Sequence, residues 1–426
     1  MKISEYIMPH IGIYLQNKSD FLSLADNIFN NLLLKDLVDL EGKRGELFSK
    51  MTIDKFIDRE LKHDHFVVRS DNNNPLHKMS SGQQRKSLLQ YLISQKPDFL
   101  VLDDIFASVD KETRAHIIEQ LSLIADETLF IQIFYRKTDI LDFIHTVVIP
   151  DESGKVQSVV GKEDFIQKHQ TDNIRPQSFE LPYYLSNLEP MANPLISLNN
   201  VSLSYGEKKV LNGISWIIRQ GEFWQLTGPV GSGKSSLLSM IVGDNPKGYG
   251  QDITLFGRKK GSGESIWDIK KHIGYFTPSM LAQFKRNESV EHMIVSGMLD
   301  SVGLYVKPTD LQTQTARKWL NLLGDSYRDR KFMQLSYGQQ RIVMVVRALV
   351  KQPPLLILDE PTTGLDDENA ALFISMIRAI ANTRRVAVIY VSHREEPGLN
   401  PQYVYTLIPD DTNGSKGVTQ VPQTEK

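Results

Sequence analysis

The chain has 426 residues, 41% hydrophobic and 23% charged, with a net charge of −2 and no cysteine. That is the composition of soluble globular proteins, at a length for two or three domains. The missing cysteine excludes disulfides, thiolate zinc sites and cysteine nucleophiles, and a near-neutral charge without a lysine or arginine run gives no strong nucleic-acid signal.

In chain order, the first suggestive stretch is Gly42-Lys43-Arg44-Gly45-Glu46-Leu47-Phe48-Ser49. Its glycines and serine have the spacing of a phosphate-binding loop, but Leu47-Phe48 stands where such a loop has Gly-Lys. Then come Met79-Ser80-Ser81-Gly82-Gln83-Gln84-Arg85 and an apolar run at residues 99–102, closed by Asp103 and Asp104. A run with no polar alternation is expected of a strand buried on both faces of a parallel sheet. Asp110 and Tyr135 follow. Residues 161–193 are polar and carry Pro176, Pro182 and Pro190, which reads as a linker.

The second half repeats these landmarks. Residues 195–203 and 222–227 read as strands, and Gly228-Pro229-Val230-Gly231-Ser232-Gly233-Lys234-Ser235 matches G-x-x-x-x-G-K-[ST] between a strand and an apolar helix. The glycines let successive N–H groups converge on the α and β phosphates of ATP. Lys234 would neutralise β and γ oxygens, the Ser235 hydroxyl would ligate Mg²⁺, and Ser236 continues the helix whose dipole favours the anion. The run at residues 355–358 ends in Asp359-Glu360, another buried strand is expected at 386–391, and residues 367–381 have helical spacing. This β-α-β order predicts an open α/β sheet. Ser80, Asp103 and Asp110 recur as Ser336, Asp359 and Asp366, each 256 residues later.

With Leu335-Ser336-Tyr337-Gly338-Gln339-Gln340 before Asp359 and His393 after the next strand, this half resembles the nucleotide-binding domain of the ABC ATPase family. The resemblance implies a P-loop NTPase fold, with Asp359 and Ser235 holding Mg²⁺ and Glu360 polarising the attacking water. It further implies that His393 contacts the γ-phosphate, Tyr205 stacks on adenine and Gly364-Leu365-Asp366 is the D-loop. The family's usual glutamine, which couples the site to a membrane partner, is replaced by Pro278; Gln283 is five residues away. Ile214-Ser215-Trp216, residues 221–226 and residues 295–305 are similar to the ModF group, tandem ABC proteins of molybdenum-transport or photorepair type.

The resemblance implies two ABC domains in tandem. Residues 1–160 would be a degenerate copy without a working P-loop, 161–193 a linker, 194–410 a complete copy and 411–426 a polar tail. Residues 42–49 match the second loop at an offset of 186, so about 70 residues, most of a helical subdomain, would be missing from the first copy. Asp104 replaces the catalytic glutamate there, and Tyr135 the histidine. In this family the P-loop of one copy faces the signature of the other. The two halves should thus form an intramolecular pseudo-dimer with one competent site, built from residues 228–236 and a signature supplying Ser80, Gly82 and Gln83. No apolar run approaches the roughly 20 residues of a spanning helix. The chain is therefore expected to be soluble and cytoplasmic, any membrane-spanning permease being another chain. A soluble switch acting on nucleic acid or ribosomes is the other reading.

Overall fold

The computed structural model describes residues 8–15, 21–63, 66–69, 74–107, 109–151, 154–170, 192–284, 287–303, 306–393, 396–410 and 412–422. By its contacts the chain divides into two compact units, Met1–Arg175 with Gly364–Glu368 and Pro176–Thr363 with Asn369–Lys426.

The first unit runs β1 (Ile11–Tyr14), α1 (Phe21–Phe29), β2 (Gly45–Phe48), α2 (Lys50–His63), α3 (Ser81–Ser94), β3 (Phe99–Asp103), α4 (Lys111–Ser122), β4 (Leu129–Phe134), β5 (Thr146–Pro150), β6 (Val156–Gly161) and α5 (Lys162–Gln170). Its sheet has the order β2-β3-β4-β1-β5-β6, with only the β5–β6 pairing antiparallel. Side chains alternate between the faces of a strand. Phe99 and Val101 therefore join the α1 core, while Leu100 and Leu102 join the core of α3 and α4. That two-sided burial is what the unbroken apolar run encodes.

The second unit continues with β7 (Ile196–Tyr205), β8 (Lys208–Ile218), β9 (Phe223–Thr227), α6 (Lys234–Ile241), β10 (Ile253–Leu255), β11 (Arg258–Lys259), α7 (Ile266–Lys270), β12 (Ile273–Phe276), α8 (Val290–Met298), α9 (Asp310–Leu323), α10 (Tyr337–Leu349), β13 (Leu355–Asp359), α11 (Asp367–Asn382), β14 (Ala387–Val391), β15 (Tyr403–Ile408) and β16 (Lys416–Gln420). Its main sheet is β12-β13-β14-β9-β15-β16, and β11-β10-β7-β8 make a separate antiparallel sheet. Leu237, Leu238 and Ile241 of α6 share one core with Trp216 of the antiparallel sheet and Ile357 of the main one. The phosphate-loop helix is thus gripped from both sides.

The two main sheets have one topology, and this corrects the reading of residues 42–49. Gly45–Phe48 is not a loop remnant but strand β2, paired in parallel with β3 from Gly45↔Phe99 to Phe48↔Leu102. Its position is that of β12, which pairs with β13 in the second sheet. The first unit's counterpart of β9 is β1, flanked by β4 and β5 as β9 is by β14 and β15. Gly45 is small because a Cβ there would overlap the Phe99 ring, not because an anion needs the backbone. The counterpart of the phosphate loop therefore begins after Tyr14; residues 16–20 of it lie outside the described residues, and 15–20 contain no glycine.

The size of the loss changes with it. β1 and β3 start 88 residues apart, at Ile11 and Phe99, whereas β9 and β13 start 132 apart, at Phe223 and Leu355. The first copy is shorter by 44 residues over this stretch, not 70, and α2 alone stands where the second unit has α8 and α9. Among the described residues it also has no counterpart of β10 and β11 between α1 and β2.

Both expected borders move. The linker read from 161 begins with helix α5, whose Phe165 is buried against Tyr14, Phe134 and Val147; residues 171–191 lie outside the described residues. The tail read from 411 contains β16, paired antiparallel with β15 from Val404↔Gln420 to Ile408↔Lys416. An exposed edge strand is polar, and polarity alone does not distinguish it from a tail.

Candidate functional site

The loop after β9 is built on backbone that side chains disfavour. Gly228, Gly231 and Gly233 have φ of +143°, +83° and +93°. A Cβ on Gly228 would sit 2.7 Å from both the Leu407 carbonyl and Ser232 Oγ, and one on Gly233 2.7 Å from Leu211 Cδ2. At Gly228 and Gly233 glycine is therefore dictated twice over, by conformation and by space, and at Gly231 by conformation alone. Gly233 caps α6, so the orphan N–H groups of its first turn face the loop. Lys234 is buried and donates from Nζ to the carbonyls of Gly228 and Pro229 at 2.8 and 2.9 Å. Those bonds hold the ammonium across the loop's mouth. Pro229 and Val230 are partly exposed, Ser232 is buried, Ser235 is exposed and Ser236 is partly exposed.

At the end of β13, Asp359 and Glu360 stand side by side. Burial, and next the Glu360 charge, push the Asp359 carboxyl up to about 6, against the pull of Lys234 and His393. Glu360 has φ +48°, a left-handed conformation that costs a non-glycine residue on the order of 1 kcal/mol. Its N–H donates to Val391 O at 3.0 Å, which fixes the turn and swings its carboxylate to His393, with Glu360 Oε1 2.9 Å from His393 Nε2. The first unit has the same turn: Asp104 has φ +45° and donates to Ile133 O at 3.3 Å. There, however, Tyr135 donates its hydroxyl to Asp103 Oδ1 at 3.1 Å.

A hard divalent cation such as Mg²⁺ suits the second site. Two adjacent carboxylates, one of them held toward its neutral form, gain from a neighbouring cation, and Ser235 and Asp359 are oxygen donors of the right type. When bound, the ion would neutralise phosphate oxygens and favour charge movement to the leaving group.

Both signatures open helices. Ser80 caps α3 and Ser336 caps α10, each closing a capping box with Gln83 or Gln339. Arg85 Nη1 donates to Asp104 O at 3.1 Å, and Arg341 Nη1 to Pro361 O at 2.7 Å, tying each signature helix to the turn after β3 or β13. The two glycines differ. A Cβ on Gly82 would meet Thr113 Oγ1 at 3.5 Å, ordinary contact, whereas one on Gly338 would strike Asn369 at 2.5 Å.

Tyr205 ends β7 with its ring half exposed, its hydroxyl 2.9 Å from Asn245 Nδ2 and Lys247 Nζ 5.6 Å from the ring centre. Pro278 opens a 3₁₀ turn, Pro278–Gln283, and Gln283 lines a cavity of about 250 Å³ with Met280, Phe284 and Lys351. None of Ser235, Asp359 and Glu360 lines that cavity. Thr362, Tyr390 and Glu396 are all buried, and no spacing rule singles them out together in the sequence.

A nucleotide loop, a paired Asp-Glu and a histidine around one mostly parallel sheet define a P-loop ATPase, and the comparisons narrow the class. The "ABC transporter" family model matches residues 211–363. The ABC transporter ATP-binding protein ModF of Escherichia coli (strain K12) is 38% identical over 328 residues, 75% of this chain and 67% of that protein. An uncharacterized ABC transporter ATP-binding protein of Schizosaccharomyces pombe, C323.04, is 31% identical over 333 residues, 75% of this chain and 65% of that protein. The matches thus span about two thirds of either relative. The chain belongs to the ABC ATPase family, whose members bind and hydrolyse ATP. The archaeal ribosome recycling factor aABCE1, solved with the ribosomal stalk protein aP1, aligns over 96% of this chain and 85% of its own, with a TM-score of 0.58 and 12% identity. At that identity the likeness is one of fold.

Proposed function

We propose that this chain turns over ATP at one site, in its second half, and uses it to energise a transport system whose membrane-spanning part is a separate permease. The single observation that carries the one-site reading is the contrast between the two Asp-Asp/Asp-Glu turns. In one, Glu360 faces His393; in the other, Tyr135 occupies Asp103. In the competent site Lys234 and residues 228–236 hold the phosphates, Ser235 and Asp359 hold Mg²⁺, Tyr205 stacks on the base, Glu360 polarises water and His393 contacts the γ-phosphate beside Glu360. By the family's arrangement, the signature residues Ser80, Gly82 and Gln83 serve this nucleotide. The transport role rests on the names of the relatives, and the sequence resemblance to the molybdenum-transport ModF group makes an oxyanion such as molybdate the cargo to test first.

Isothermal titration with a non-hydrolysable ATP analogue and Mg²⁺ should give one nucleotide per chain; two would overturn the one-site reading. Purification from membranes should recover a multi-span partner. Pro278 favours a second reading, a soluble ATP-driven switch, because the residue that usually answers to a membrane partner is missing. Recovery of ribosomal or nucleic-acid material instead of a permease would decide for the switch.

A further inference from the structure

Behind the Asp359-Glu360 turn lies a buried polar chain that the ATPase motifs do not account for. Thr362 donates from Oγ1 to Glu396 Oε1 at 2.5 Å, and the Tyr390 hydroxyl lies 3.0 Å from Thr362 Oγ1. All three residues are buried, Tyr390 completely and Glu396 to 8% exposure. Threonine has a single hydroxyl proton, and it is committed to the carboxylate. Tyr390 must therefore donate to Thr362, which orients the chain Tyr390 to Thr362 to Glu396.

The placement of these groups along the sequence gives the chain its meaning. Thr362 is two residues beyond Glu360, on the segment that leaves β13. Tyr390 is three residues before His393 and Glu396 three residues after it, on the segment that ends β14. The two segments joined by the Glu360–His393 contact at 2.9 Å are thus joined a second time by the buried chain. Glu360 also sits in a left-handed conformation that its own residue type does not favour, so its direction depends on restraints from its neighbours.

We propose that Thr362, Tyr390 and Glu396 are positioning residues for ATP hydrolysis, holding the Glu360 segment against the His393 segment so that carboxylate and imidazole meet. The proposal rests on the reading that Glu360 and His393 act at the γ-phosphate. The hydroxyls and the carboxylate do not touch nucleotide; they set where the two groups that do so stand. A buried hydrogen-bond chain suits this task because shifting any member stretches bonds made in the core, where they resist displacement most.

Y390F deletes one oxygen, and T362V replaces one hydroxyl by a methyl group. Each should lower kcat about tenfold while leaving KM for ATP within about twofold and the protein folded at assay temperature. E396Q keeps an acceptor oxygen for Thr362 and should recover most of the turnover that E396A loses. A double-mutant cycle supplies the decisive reading: H393A already removes the partner, so adding T362V to it should cost no more than about a further twofold. Single variants with turnover within twofold of the parent, a full multiplicative loss in the double variant, or losses that only follow the thermal midpoint would each overturn the proposal. Parental turnover in H393A alone would instead overturn the underlying role of His393, and this proposal with it.

Discussion

Tyr135 stands where His393 stands in the other half, and its hydroxyl donates to Asp103 Oδ1 at 3.1 Å. The register proves the equivalence. Asp103 pairs with Ile133 and Asp359 with Val391, so Tyr135 and His393 are each two residues beyond the partner of the aspartate that ends β3 or β13. A phenol on that carboxylate competes with any cation for the same oxygen. Y135F should therefore leave kcat within about twofold of the parent and lower stability by about 1 kcal/mol, the usual net worth of a hydrogen bond. Denaturant unfolding and steady-state hydrolysis measured on one preparation check both halves of this expectation. A large loss of turnover would mean that the first turn takes part in the chemistry.

Ser80 and Ser336 make the cleanest test of which signature serves the nucleotide. Both cap a helix and both close a capping box, so S80A and S336A should each cost about 1 kcal/mol of stability. Only S80A should also lower kcat, by about tenfold or more. The glycines would be a poorer pair, since a Cβ at Gly338 meets Asn369 at 2.5 Å and would disturb α10 whatever its role in hydrolysis. Equal turnover in the two serine variants, or a larger loss in S336A, contradicts the assignment of Ser80 to the competent site.

The loop and the Asp-Glu pair were legible in the sequence because their chemistry is local: the glycines, lysine and serine of 228–235 must be neighbours to wrap a phosphate. The counterpart of that loop in the first copy was not legible. Its identity lies in the position of β1 between β4 and β5, a non-local fact, while residues 42–49 offered a similar spacing for an unrelated reason, the packing of Gly45 against Phe99. Strand β16 was hidden by the polarity of an edge. The Thr362–Tyr390–Glu396 chain was hidden because its members are 28 and 34 residues apart and have no shared spacing rule.

Lys234 and Glu360 should fail in different ways. K234A removes a charge-assisted contact worth roughly 1.5 to 3 kcal/mol, so affinity for ATP should fall by about one to two orders of magnitude. E360Q keeps the shape of the side chain but loses its charge. It should bind Mg²⁺ and ATP normally and hydrolyse it at least about a hundredfold more slowly, retaining unhydrolysed nucleotide through gel filtration. An E360Q protein that turns over at the parental rate places the water-polarising group elsewhere.

Asp359 ties stability to pH in a direction opposite to that of an ordinary salt-bridged carboxylate. Its carboxyl titrates at about 6 in the folded protein, above the 3.8 of a free aspartate. The folded state therefore binds the proton more tightly than the unfolded state. The stabilisation from this group is fully present below pH 3.8 and is lost as pH rises through 6. At pH 7.5 the nucleotide-free protein carries the cost of burying the Asp359 charge and of setting it beside Glu360, on the order of 1 to 2 kcal/mol after allowance for its partial exposure. D359N should lift that cost, raising the thermal midpoint at pH 7.5 and narrowing the difference between parent and variant as pH falls through 6 toward 4. Mg²⁺ should act on the parent in the same sense at pH 7.5, and its stabilising effect should fade below pH 6, where a proton holds the carboxylate instead. Thermal unfolding of both proteins across pH 4 to 8, with and without Mg²⁺ and a non-hydrolysable ATP analogue, reads all of these differences. A D359N protein less stable than the parent at pH 7.5 without metal would show that Asp359 is held by structural bonds whose worth exceeds the cost of burying its charge beside Glu360.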